Sequence, residues 1–155
     1  MAKIELRRAT SADANAIRDL TREAYAKWVP LIGREPKPMT ADYSAAVEHH
    51  RFDLIFRDGV LAGLIETVDE SDGLLVENVA VTPRFQGLGL GRTLLAHAEQ
   101  LARDLGRPRV RLYTNQLFAE NLRLYRSLGF EMDREEDVGV AITVHMSKVV
   151  VPTIR

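Results

Sequence analysis

Apolar and polar residues alternate at Ile4-Glu5-Leu6-Arg7, the period of a half-buried strand. The period then turns helical, with Ile17, Leu20, Ala24 and Trp28 on one face, which predicts a helix from about Ser11 to Trp28. Thr10 followed by Asp13 reads as its N-cap with an acidic third position, and Pro30 is expected to end it. Val29 to Thr40 holds Pro30, Gly33, Pro36 and Pro38 and reads as an ordered loop, followed by a short helix over Ala41–His50 capped by Thr40. Phe52–Arg57 and Val60–Thr67 read as strands joined by the hairpin dipeptide Asp58-Gly59. Leu74 to Val81 is apolar enough to predict a central strand buried on both faces. Leu94, Leu95, Ala98, Leu101, Ala102 and Leu105 return to helical spacing, and Gly106 with Pro108 stops that helix. Arg109–Thr114 reads as a strand, Phe118–Leu128 as a helix closed by Gly129, and Phe130–Glu135 and Val140–Met146 as late strands. The order βα(α)βββαβαββ predicts one α/β or α+β domain over residues 1–155, a sheet with helices on its faces.

Composition narrows the chemistry. With 21 Lys and Arg against 22 Asp and Glu, the net charge of -1 argues against a nucleic-acid binder, which needs a cationic surplus. The absence of cysteine excludes a disulfide framework, a thiolate nucleophile and Cys-ligated zinc. His49 and His50 are adjacent while His97 and His145 lie far off, so no metal-ligand spacing occurs and no metal is expected. MAKIELRRAT has no apolar run of signal-peptide length, and no stretch approaches the ~20 residues of a membrane span. The expectation is a cytoplasmic protein with neither nucleic-acid nor membrane partners.

The segment Val79-Ala80-Val81-Thr82-Pro83-Arg84-Phe85-Gln86-Gly87-Leu88-Gly89-Leu90-Gly91-Arg92 carries the most information. Glycines at alternate positions between a strand and a helix let a ligand approach the amides, and the helix N-terminus supplies unpaired N–H groups and a positive dipole end. Such a junction suits a phosphate or pyrophosphate. No lysine follows the glycines, so a nucleotide-triphosphatase loop is excluded. The third glycine of a dinucleotide fingerprint would fall at Arg92 or Leu94, so that motif fails too.

Gln86-Gly87-Leu88-Gly89-Leu90-Gly91 resembles the Gln/Arg-x-x-Gly-x-Gly/Ala motif of the GNAT superfamily of N-acetyltransferases. Asn78 to Pro83 looks like that family's fourth strand, and Leu124-Tyr125 with Leu128-Gly129-Phe130 is similar to its Leu-Tyr-x-x-x-Gly-Phe segment. The resemblance covers nearly the whole chain. It implies a mixed, mostly antiparallel sheet of about seven strands flanked by about four helices. It implies acetyl-CoA as acyl donor and a primary amine on a small molecule or peptide as acceptor, attacked directly. A non-catalytic acyl-CoA sensor is the alternative. Late strands in the family often pair across homodimers.

The resemblance also implies roles for residues. The amides of Gly87, Leu88, Gly89, Leu90, Gly91 and Arg92, preceded by Gln86, would wrap the pyrophosphate. Arg92 would either add a charge-assisted contact or stay solvated. Val79, Ala80 and Val81 would receive the pantetheine arm through their main chain, with the Val79 and Val81 side chains read as core, and a strand amide there would polarise the thioester carbonyl. Tyr125 stands where the family places a phenol near the sulfur, as general acid, against a plain core role. Glu77 is the charged residue in the apolar run, either the general base or the partner of an arginine such as Arg111. Tyr113 stands where some relatives carry a catalytic glutamate. Phe118 stands where many relatives have a pantetheine-contacting asparagine; Asn121 is the replacement expected here, with Asn115 the weaker candidate. Tyr25, Trp28, Arg34 and Tyr43 are the acceptor-binding candidates, Arg34 for an acceptor carboxylate or else as a surface residue.

Overall fold

Asp58 and Gly59 turn the chain with φ of 49° and 79°, the pair of positive values that a two-residue hairpin with native twist requires. They join β2 (Arg51–Arg57) to β3 (Val60–Glu70), paired antiparallel from Arg57↔Val60 to Arg51↔Thr67. On the other side β2 pairs antiparallel with β1 (Ile4–Arg8). β4 (Gly73–Val81), β5 (Arg109–Asn115), β6 (Glu131–Asp137) and β7 (Ile142–Val149) complete a mixed seven-stranded sheet of order β1-β2-β3-β4-β5-β7-β6. β4 and β5 are parallel, whereas β7 pairs antiparallel with both β5 and β6.

This computed structural model describes residues 1–151. They fall into two compact units: Met1–Thr67 with Asn78–Leu95, and Val68–Glu77 with the described residues from Ala96 onward. In the first unit the apolar face of α1 (Ala14–Tyr25) supplies Ile17, Leu20 and Ala24 to a core with Phe52, Leu54, Leu64 and Ala80. The predicted capping box is present, with the Asp13 carboxylate accepting from the Thr10 amide at 2.8 Å. Arg7 pairs with Asp13 and holds its carboxyl below the ordinary range. Buried residues of the second unit include Ala98, Ala102, Val110, Leu112, Phe130, Val144 and Met146.

Helical structure departs from the sequence expectation between residues 26 and 50. Pro30 does not end the helical path. A 3-10 turn over Ala26–Trp28 leads into α2 (Val29–Ile32), where Pro30 occupies the first turn and its missing N–H removes no helical bond. The expected loop contains a further short helix, α3 (Lys37–Thr40), again with a proline in its first turn. Its position is fixed from outside: the Arg22 guanidinium donates to the Met39 carbonyl at 2.8 Å, and the Tyr43 hydroxyl donates to that of Pro38 at 2.6 Å. α4 (Tyr43–His49) is capped by Asp42, which accepts from the Ala45 amide, rather than by Thr40. α5 (Leu90–Asp104) begins four residues before its periodic apolar face, directly out of the glycine segment, and α6 (Ala119–Ser127) follows β5. No helix among the described residues is long and apolar enough to cross a membrane.

β3 carries a bulge: Ile55 faces Gly63 and Phe56 faces Leu61, leaving Ala62 extra. At Gly63 an added Cβ would lie 2.7 Å from the Ala80 carbonyl oxygen and 3.1 Å from Ile55 Cγ2. Glycine is required there for close approach of main chain to main chain. Gly63→Ala is expected to cost roughly 1–3 kcal/mol of stability by overpacking. Urea unfolding measures it, and a loss below about 0.5 kcal/mol would show that β4 yields freely at Ala80.

Candidate active site

The glycine segment lies in the first unit and leaves β4 through a 3-10 turn over Pro83–Phe85. Gly87 and Gly89 sit at φ of 81° and 82°, in the left-handed region, and among the described residues, chain neighbours aside, a Cβ at either would meet nothing within 4 Å. Here glycine is demanded by backbone conformation, and the space beside it is open. Gly91 lies within the first turn of α5. The Thr93 amide donates to the Gly89 carbonyl at 3.1 Å. The amides of Leu90, Gly91 and Arg92 are therefore those that a helix start leaves without intrahelical acceptors. Leu90 is buried and anchors the turn, while Leu88 is exposed and so is Arg92. The Gln86 amide donates to the Val81 carbonyl at 2.9 Å and accepts from Lys27 at 3.3 Å. Gln86 thus ties the loop to the end of β4.

The β4 residues expected to serve through main chain alternate. Ala80 is 4% exposed and packs in the core. Val79 and Val81 are half-buried, so the expectation of a strand buried on both faces does not hold; one face is less covered. Asn78 escaped the sequence reading. It is buried, its Oδ1 accepts from the Tyr25 hydroxyl at 2.7 Å, and its Nδ2 has no hydrogen-bond partner among the described residues. A polar residue inside an otherwise apolar run was the available signal.

The acceptor candidates also fall in the first unit, in different settings. The Tyr25 hydroxyl lies on Asn78 and 3.5 Å from the Val79 carbonyl. Trp28 is largely buried, with the Lys27 ammonium 4.8 Å from its ring centroid. Arg34 is half-buried and forms no ion pair among the described residues, although its neighbour Glu35 pairs with Arg22 at 2.7 Å. Tyr43 is 3% exposed, edge-on to Phe52, with its hydroxyl spent on Pro38.

In the second unit β4 and β5 pair at Leu74↔Val110, Leu75↔Arg111 and Val76↔Leu112. Glu77 follows. It accepts a hydrogen bond from the Tyr113 hydroxyl and is not the partner of Arg111, which pairs with Glu70 and Asp72 at 3.2 Å each. The expected alternative for Glu77, a salt bridge to Arg111, is thereby replaced by a neutral donor. Tyr125 on α6 is 5% exposed beside Phe130, ring centroids 6.0 Å apart, and burial pushes its phenol well above the ordinary range. It therefore keeps its proton at neutral pH. Asn121, one turn earlier on α6, is half-buried and forms no side-chain hydrogen bond among the described residues. Asn115 is committed to a turn, accepting from the Leu117 amide at 2.9 Å, and Phe118 is a buried apolar residue at the α6 N-cap. Among the described residues no group of three or more His, Asp or Glu side chains is arranged to hold a metal ion.

The model of the acetyltransferase (GNAT) family matches residues 14–130. Mycothiol acetyltransferase of Thermomonospora curvata is 45% identical over 75 residues, covering 48% of this chain and 25% of that protein. Streptothricin acetyltransferase of Streptomyces lavendulae is 32% identical over 81 residues, 51% of this chain and 43% of that one. The chain thus spans less than half the length of these relatives. In three dimensions it is similar to the PaiA N-acetyltransferase of Thermoplasma acidophilum, solved in complex with coenzyme A. The TM-score is 0.79 at 20% identity, covering 95% of this chain and 99% of that one. The family match runs without interruption from α1 through β4, the glycine turn and α6, and on it the chain belongs to the GNAT acetyltransferase family.

Proposed function

We propose that this protein transfers the acetyl group of acetyl-CoA to a primary amine by direct attack. The observation that carries this reading is the turn at Gly87–Arg92, where two left-handed glycines open the N-terminus of α5 onto unobstructed space. An anionic diphosphate suits those donors and that dipole. The coenzyme A bound to the similar PaiA enzyme supports the same choice of ligand.

The residues divide the chemistry. The amides of residues 87–92 hold the diphosphate, with Arg92 at its edge and Gln86 fixing the turn to β4. Main-chain groups of Val79, Ala80 and Val81 take the pantetheine arm, and a β4 amide stabilises the oxyanion. The acceptor must lose a proton to become nucleophilic, and Glu77 takes it. The sulfur leaves as a thiolate unless a proton arrives, and the Tyr125 hydroxyl supplies one. Direct attack fits a chain without cysteine, which offers no thiolate for an acyl-enzyme. Tyr25, Trp28 and Arg34 form the acceptor side, Arg34 offering a fork for an acceptor carboxylate.

Incubating the protein with acetyl-CoA and a panel of amines, including amino acids, polyamines, aminoglycosides and peptide N-termini, tests the reading. Released coenzyme A thiol and an acetylated amine by mass spectrometry are the expected results. Coenzyme A binding without thiol release from any amine would instead favour an acyl-CoA sensor.

A further inference from the structure

Where backbone pairing between β4 and β5 reaches its last described register pair, Val76↔Leu112, the next residue on each strand is Glu77 and Tyr113. Their side chains continue the link: the phenol hydroxyl donates to Glu77 Oε1. The geometry points to Tyr113 as the positioning residue for Glu77, a phenol that fixes one carboxylate oxygen and leaves the other for the acceptor amine. This inference rests on the reading of Glu77 as the base.

The choice of donor matters. The arginines of β5 are committed elsewhere, Arg111 to Glu70 and Asp72, and Arg109 to the Asp72 carbonyl at 3.1 Å. A guanidinium partner neutralises a carboxylate and draws down its affinity for a proton. In this same unit Arg107 does so to Asp69, whose carboxyl is held below the ordinary range. A phenol carries no charge, so it orients the carboxylate without supplying a counter-ion. Glu77 Oε2 has no hydrogen-bond partner among the described residues. An ammonium approaching that oxygen meets an anion already fixed in direction, and the rotational freedom lost on binding is small.

Tyr113 is itself braced. It is 38% exposed, and it faces His145 in the β5–β7 register. The two rings stand 6.0 Å apart at 41°. The imidazole is held in turn from β6, where His145 Nε2 and Glu136 Oε1 are 2.9 Å apart. Arg134, the register partner of His145, lies 3.9 Å from the same carboxylate. A row of side chains from four strands, Glu77, Tyr113, His145 and Glu136, thus runs from the proposed base to the edge strand.

A double-mutant cycle tests the assignment, using an acceptor from the amine panel and thiol release as readout. Tyr113→Phe keeps the ring and removes the donor. It is expected to lower kcat roughly tenfold, the scale of one hydrogen bond to a charged group, with the KM for acetyl-CoA unchanged. In Glu77→Gln the same Tyr113→Phe change is expected to cost less than about twofold, because a residue acting through Glu77 has nothing left to position. Losses that multiply in the double variant would overturn the inference, as would Tyr113→Phe turning over within about twofold of wild type while Glu77→Gln does not. A Glu77→Gln protein as active as wild type would overturn the base reading and this inference together. Thermal unfolding of each variant separates the result from folding defects, since a packing role lowers Tm without the kinetic coupling.

Discussion

Replacing Gly89 with valine is expected to abolish coenzyme A binding at concentrations where the wild-type protein saturates. Gly89 has φ of 82°, a region that a β-branched residue enters only as an outlier. The left-handed conformation costs a non-glycine residue roughly 1–2 kcal/mol, and valine avoids it by moving the backbone. Movement there turns the amides of residues 87–92, the donors proposed for the diphosphate. Losing two such charge-assisted bonds, each worth roughly 1.5–3 kcal/mol, lowers affinity by about 10²-fold or more. The fold itself is expected to survive. A Cβ at this position meets no atom of the other described residues, its chain neighbours aside, within 4 Å, and the Leu90 anchor that follows is buried. Calorimetric titration with coenzyme A, alongside a thermal melt, reads both quantities. Gly89→Ala, smaller but subject to the same φ, should fall between. A folded Gly89→Val protein with unchanged affinity would move the diphosphate away from this turn.

That turn was legible in the sequence because its signals are local. Alternate glycines, an apolar strand before and a helical period after require no knowledge of distant residues. The same holds for the Asp58-Gly59 hairpin and the Thr10/Asp13 capping box, where four or fewer residues decide the conformation. Residues 29–40 were not legible. Helices of four residues have no intrinsic stability, and α3 is held by Arg22 and Tyr43 from other elements, which no local propensity reports. Pro30 reads as a terminator although it sits in the first turn of α2, where proline is tolerated.

The surroundings of Glu77 show the same limit at the candidate site. The sequence marks Glu77 as an anion in an apolar run, and strand alternation places it on the face of Val79 and Val81. Its partner depends on the register between two parallel strands far apart in sequence, and on competition for Arg111. Glu70 and Asp72, at the preceding turn, take that arginine, and the phenol two residues further along β5 takes Glu77. The close approach of Gly63 to the Ala80 carbonyl is hidden for the same reason. Local conformation was readable; the identity of cross-strand neighbours was not.

Tyr125→Phe is expected to lower kcat by ~10²–10⁴-fold, the usual worth of a positioned general acid, while acetyl-CoA binding is kept. Only a hydroxyl is removed, and the ring retains its packing against Phe130. Burial sets the direction of the pH behaviour. The raised phenol pKa favours the protonated form in the folded protein, so the donor stays available through neutral and mildly alkaline pH. The stability linked to that proton is fully present below the ordinary phenol range and is lost as pH rises from that range through the elevated value. Turnover of the wild type should therefore show no alkaline fall assignable to this group below pH ~10. A purely packing role for Tyr125 gives a different pattern: nearly normal turnover with at most a small loss of Tm. The test is kcat for wild type and variant at several pH values, with the acceptor held at saturation and binding of coenzyme A measured separately. A variant within about threefold of wild type would assign Tyr125 to the core and leave water or another side chain to protonate the thiolate.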